Sequence, residues 1–204
     1  MSALPVSPTP RLPTDARKAE IVAAALALAG ERSPALITTT ELAKALGLSQ
    51  GALFKHFPSK EAIWLGVMDW VAENLMQLLA AAATSASSPV QALQCMFDTH
   101  IGFVLAHPGV PRIVFHELQQ PANSPQKQKV QALMQGYRQL LVELLTRAQA
   151  EKMVAADIDT AAAATQFVGM VQGLVMQSML GGTLKAIRAQ GQGVFQLYLR
   201  GIRT

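Results

Sequence analysis

Leu42-Ala43-Lys44-Ala45-Leu46-Gly47-Leu48-Ser49-Gln50-Gly51-Ala52-Leu53-Phe54-Lys55-His56-Phe57 is the most informative stretch of this 204-residue chain. It reads as two short helices joined by a tight turn. Upstream, Thr38 and Glu41 have the spacing of a capping box, in which the threonine oxygen takes a free N–H and the glutamate reaches back. Leu42, Ala45 and Leu46 then share a face. Gly47 supplies the left-handed residue that ends the first helix, and Ser49 caps the second. Leu53 and Phe57 point inward, while Gln50 with Phe54 and Gly51 with Lys55 form neighbouring outward rows. A short helix presenting an amide, a glycine and a lysine fits a DNA major groove as the recognition helix of a helix-turn-helix.

The run from Ile37-Thr38-Thr39-Thr40-Glu41-Leu42-Ala43 through Gly47 to Phe57-Pro58-Ser59-Lys60-Glu61 resembles the DNA-binding signature of the TetR/AcrR family of bacterial transcriptional regulators. The resemblance is dense from about Arg17 to Trp64. It implies an all-α fold: a three-helix helix-turn-helix domain, then a larger helical domain for ligand binding and dimerisation. It also implies that Gln50, Gly51, Ala52 and Lys55 contact bases. Arg17, Thr39, Thr40, Lys44, Phe54, His56 and Lys60 then fall to the phosphates. The family carries tyrosine at the position of Phe54, where its hydroxyl commonly touches a phosphate; Phe54 lacks that hydroxyl.

Charge placement agrees with a DNA-facing first domain. Residues 1–60 hold seven Lys/Arg against four Asp/Glu, whereas 61–204 hold ten against nine. The basic excess sits with the helix-turn-helix, as a phosphate-facing surface requires. Lys60 falls in the first turn of a helix, where a cation opposes the macrodipole at a cost of a few tenths of a kcal/mol, roughly. Phosphate contact gives that placement a purpose.

Half the residues are apolar, and no proline lies between Pro58 and Pro89 or after Pro125. Such spans, without sustained strand alternation, predict helices. We read nine: 15–29, the two around Gly47, 60 to the alanine run at 80–83, 90–106, 111–118, 125–151, one from Asp157 or Asp159 to 180 and ended by Gly181-Gly182, and 193–202. The expected domains are a disordered arm over 1–13, the helix-turn-helix over 14–59, and the ligand-binding and dimerisation domain over 60–204. The proline-bearing N-terminus has no basic start followed by an apolar core, so it is not a secretory signal. The single Cys95 excludes an intramolecular disulfide and fits the cytoplasm; it reads as a small buried hydrophobe.

Thr160 to Thr183 carries no charge and contains Gly169-x-x-x-Gly173. Gln166, Gln172, Gln177 and Ser178 inside it argue against a membrane span. A helix covered on nearly every side is the better reading. By the family's usual plan the last two helices pair with their two-fold mates, giving a dimer interface of Val168, Gly169, Val171, Gly173, Leu174, Val175, Val194, Leu197 and Tyr198. His100, His107 and His116 lack the i, i+4 spacing of a helical metal pair, so they read as polar groups lining a cavity and no metal is expected. The expected effector is a small hydrophobic molecule held by Trp70, His100, Phe103, Phe115, His116, Tyr137 and Phe167. No Gly-rich phosphate loop, nucleophile elbow or paired-carboxylate motif occurs, so neither a cofactor nor enzymatic turnover is expected. The function expected is a repressor released from a palindromic operator by that molecule; a constitutive DNA-binding or architectural protein without a ligand is the alternative.

Overall fold

The computed structural model describes residues 13–119, 124–181, 184 and 186–203. Residues 1–12 of the arm and Gly182 of the expected helix stop lie outside them. The described residues form nine α-helices, one 3-10 turn and no strand. The helices are α1 (Thr14–Glu31), α2 (Thr39–Ala45), α3 (Gln50–Phe54), α4 (Lys60–Ser85), α5 (Pro89–Ala106), α6 (Gly109–Leu118), α7 (Pro125–Ala150), α8 (Thr160–Leu180) and α9 (Ala186–Ile202), with the 3-10 turn at Pro34–Leu36 between α1 and α2.

Their starts are set by local hydrogen bonds. The side chains of Thr38, Ser49, Ser59, Ser88 and Ser124 each accept from a backbone N–H in the first turn that follows, and Asp159 accepts from two. Each such cap stabilises its helix by about 1 kcal/mol. The Thr38–Glu41 capping box closes both ways, at 3.2 Å and 2.9 Å. Glu41 also meets Arg32 at 2.8 Å, and its carboxyl is held below the usual carboxylate range, chiefly by the Thr38 N–H. At the other end of α2, Gly47 sits at φ +65°. Leu48 N–H there bonds the Ala43 carbonyl and Gly47 N–H bonds that of Lys44, the paired bonds of a Schellman turn.

The core of α1–α3 is small: Ile21, Val22, Ala25, Leu42, Leu53 and Phe57 bury against Ile63, Trp64 and Val67 on the first turns of α4. Further along, α4 packs on α5 and α7, so one 26-residue helix serves both regions. In this region the continuous core turns aromatic. Phe97, Phe167, Phe195 and Tyr198 form edge and tilted ring contacts with centroids 5.0–6.3 Å apart. Tyr198 closes the group by donating its hydroxyl to the Ala163 carbonyl at 3.2 Å.

Two boundaries differ from expectation for physical reasons. Helix α9 starts at Ala186 rather than 193, and carries Gly191 buried within it as a packing residue. A Cβ there would sit 3.4 Å from the Phe97 ring, so a small residue lets α9 approach α5. Helix α6 starts at Gly109, ahead of Pro111, for a stronger form of the same reason. A Cβ on Gly109 would lie 2.2 Å from the Leu26 carbonyl oxygen and 2.9 Å from the Gly30 nitrogen. Backbone meets backbone where α6 crosses α1.

Candidate nucleic-acid interface and effector cavity

The sequence places Gln50, Gly51, Phe54 and Lys55 on the outer side of α3, and all four are exposed; Ala52 is half-buried. Leu53 beneath them is fully buried and fixes the helix orientation. The amide of Gln50 donates to the Thr39 hydroxyl at 2.7 Å, so the starts of α2 and α3 lie side by side. Thr40 and Lys44, four apart on α2, are exposed on one row. His56 and Lys60 are half-buried, and the Lys60 ammonium reaches the Ala35 carbonyl at 3.3 Å, tying α4 to the 3-10 turn. Arg17 departs from the expected surface role. It is buried, with its guanidinium on Glu20 at 2.7 Å, while Thr14, Asp15 and Ala16 before it are exposed.

The expected ligand set divides in space. His100, Phe103 and Phe115 line a narrow cleft, open at one side, with a cavity volume of about 70 Å³. Its walls come from five helices: Val71 and Leu75 of α4, Val104 of α5, Val110, Pro111, Val114 and Leu118 of α6, Leu133 and Met134 of α7, and Val168, Val171, Gln172 and Val175 of α8. Tyr137 lies behind His100, its hydroxyl 3.3 Å from the ring Nδ1. The other three sit elsewhere. Phe167 is sealed in the aromatic core, and Trp70 stacks on Phe103 and meets His107 edge-on beside a groove against α1. His116 points from the opposite side of α6 into a polar cleft with Lys60, Glu61 and Gln126. Sequence spacing put these aromatic groups on the right helices without fixing which face each one takes. The aliphatic wall was missed as a ligand surface, because valines and leucines of a cavity and of a core look alike in sequence.

Burial lowers the His100 pKa from its ordinary 6.5 to about 4, so the imidazole is neutral near pH 7. The same burial raises the Tyr137 hydroxyl far above its usual range. Folded His100 therefore binds fewer protons than unfolded His100 between these two values. Stability must fall as pH drops from 6.5 towards 4. The expected loss through this group is about 3 kcal/mol. Denaturant titrations of wild type and His100→Phe across that range check it, since the difference between the two proteins isolates the histidine. Parallel curves would mean that His100 protonates freely in the fold.

The dimer set is corrected in part. Val168, Val171, Leu174, Val175 and Tyr198 are buried within the chain itself, leaving a partner nothing to cover there. They are the inward stripe of their helices, holding α8 on α7 and α9. The outward stripe holds Gly169 and Gly173 with Met176 and Leu180, 50% and 78% exposed, and on α9 Gly193 and Gly201 with Leu197, 67% exposed. Val194 is half-buried at its border. A Cβ on any of these four glycines would meet nothing within 4 Å. Small residues beside exposed large apolar ones are the pattern of a helix face made for close approach. Among the described residues, no helix is long and apolar enough to cross a membrane, and no three His, Cys, Asp or Glu side chains converge as metal ligands.

Residues 21–67 match the family model for bacterial regulatory proteins of the tetR family, and 120–193 match that of the tetracyclin repressor-like C-terminal domain. The two cover more than half of the chain, in the order of its two regions. The chain belongs to the tetR family of bacterial regulatory proteins. It is similar to the nucleoid occlusion factor SlmA of Aliivibrio fischeri, 26% identical over 166 residues spanning 81% of this chain and 84% of that protein. In fold it is similar to the ketosteroid transcriptional regulator KstR2 of Mycobacterium tuberculosis (TM-score 0.76, 23% identity, 92% and 95% of the two chains). It also resembles the regulator FadR of Bacillus subtilis in complex with stearoyl-CoA (TM-score 0.78, 18% identity, 91% and 99%). Members of this tetR family are DNA-binding transcriptional regulators, and this chain has that all-helical architecture.

Proposed function

We propose that this tetR-family chain is a homodimeric repressor that leaves a pseudo-palindromic operator when a small hydrophobic molecule fills the five-helix cavity. In this reading residues 14–59 bind DNA and 60–204 bind the effector and the second copy. Gln50, Gly51, Ala52 and Lys55 read bases, while Thr39, Thr40, Lys44, His56 and Lys60 hold phosphates. Phe54 packs against the backbone without the hydroxyl that the family's tyrosine supplies.

The observation that carries the switch is the double contact of α6. One side of it forms the cavity wall, and its first residue meets the α1 backbone. Helix α4 does likewise, with Val71 and Leu75 in the cavity and Ile63 under α1. A guest that spreads α4, α6 and α8 therefore displaces the platform on which α3 rides. Higher affinity for the spread form is all that release requires. KstR2 and the stearoyl-CoA complex of FadR support a hydrophobic guest in this fold.

Coupling of this kind is reciprocal. Effector and operator are expected to weaken each other by the same factor, about 5- to 150-fold. Compounds that displace labelled operator are found by fluorescence anisotropy; calorimetry with and without operator then gives both factors. Independent affinities would mean that the compound is no inducer. The likeness to a nucleoid occlusion factor favours a second reading, DNA binding without a small-molecule switch. That reading predicts that no compound bound in the cavity changes operator affinity.

A further inference from the structure

Among the described residues, the cavity wall is aliphatic or aromatic except at His100 and Gln172, and contains neither lysine nor arginine. A carboxylate or phosphate against this wall would lose its water without gaining a counter-charge. Gln172 is committed in part, its amide nitrogen lying 3.7 Å from the Met134 sulfur. His100 is thus the polar pole of the chamber.

Its tautomer follows from Tyr137. That hydroxyl is fully buried, and His100 Nδ1 is its hydrogen-bond partner at 3.3 Å among the described residues. If Nδ1 carried the proton, the phenolic hydrogen would be buried without an acceptor. With the phenol donating to Nδ1, every buried hydrogen is used and the proton sits on Nε2. His100 is nine-tenths buried and lines the cavity, and Nε2 has no other hydrogen bond among the described residues. The chamber therefore offers a buried N–H donor at His100, with the Gln172 amide at its exposed edge.

We propose that the cavity takes a neutral, mostly hydrocarbon molecule bearing one accepting oxygen, such as a ketone or ester carbonyl, docked on the Nε2–H of His100. This rests on the cavity being the effector site. It goes further by keeping charged groups off the inner wall and naming the atom that reads the guest. Discrimination comes from both parts of the wall: the aliphatic surface takes the chain, and the buried His100 donor is left unpaired by a plain hydrocarbon.

Two measurements on the full-length protein test it. NMR with isotopically labelled histidine nitrogen should give His100 a protonated Nε2 and an unprotonated Nδ1; the reverse assignment overturns the docking atom. Calorimetry at neutral pH should then show methyl octanoate or heptyl methyl ketone binding at least about tenfold more tightly than octanoate. His100→Phe should weaken the ester and the ketone about five- to tenfold, the loss of one buried hydrogen bond. His100→Gln, which restores a donor, should recover part of that loss. Octanoate binding as well as the ester, no binding by either neutral compound, or an unchanged ester affinity in His100→Phe each overturns the proposal. Since no DNA is present, these results stand apart from the switch: an ester that binds as expected but leaves operator affinity unchanged would refute the effector role alone.

Discussion

Gly173→Leu is expected to give a folded monomer that no longer binds a palindromic operator. Gly173 lies on the exposed side of α8, where an added Cβ has open space within the chain. Removing a helical glycine there should stabilise the isolated fold by about 0.5–1 kcal/mol. Across a two-fold axis the same leucine would hold two backbones apart and cost about 3 kcal/mol or more, a hundredfold or greater weakening of the dimer. Sedimentation equilibrium reads the association, and circular dichroism confirms the helices. A dimer of wild-type affinity that still binds DNA would place the interface on another face. Leu197→Glu on α9 should act in the same direction, by burying a charge at the same seam.

Gly109→Ala should be among the most damaging single-methyl changes in the chain. The new Cβ would be placed 2.2 Å from the Leu26 oxygen and 2.9 Å from the Gly30 nitrogen, and backbone atoms cannot rotate away as a side chain would. Helix α6 must back off from α1, at a cost of about 2–4 kcal/mol in stability. Because that crossing joins the cavity wall to the DNA-binding helices, operator affinity should fall as well. Gly102→Ala on α5, where a Cβ meets nothing within 4 Å, is the control and should be neutral or mildly stabilising. A Gly109→Ala protein with wild-type stability and operator affinity would show that α6 does not hold α1 by this contact.

Features written in a few neighbouring residues were readable from sequence. The Thr38–Glu41 box, the Gly47 turn and the Ser49 cap each depend on groups within six positions of one another. They formed as read because short-range geometry leaves them little choice. What sequence left open were facings. Helix α8 carries no charge to mark its wet side, so its valines and its glycines looked equally suited to a partner; packing on α7 and α9 turned the valines in. Arg17 looked like a phosphate ligand because its burial depends on the neighbours that α1 meets. Trp70, His116 and Phe167 joined the cavity list for being aromatic on the right helices, yet each faces another compartment. The early starts of α6 and α9 were not legible, because the backbone that Gly109 meets and the ring that Gly191 meets are far away in sequence.

The central claim is that α3 reads DNA sequence from a two-fold dimer. Selection from random duplex DNA, run in parallel with wild type and Gln50→Ala, tests it most directly. The wild type should enrich a pseudo-palindrome whose half-sites are related by the helical repeat. Gln50→Ala should bind the best site about 1–3 kcal/mol more weakly and lose preference at one base pair in each half-site. A single asymmetric site, no enriched sequence, or the same preferences from both proteins would contradict it.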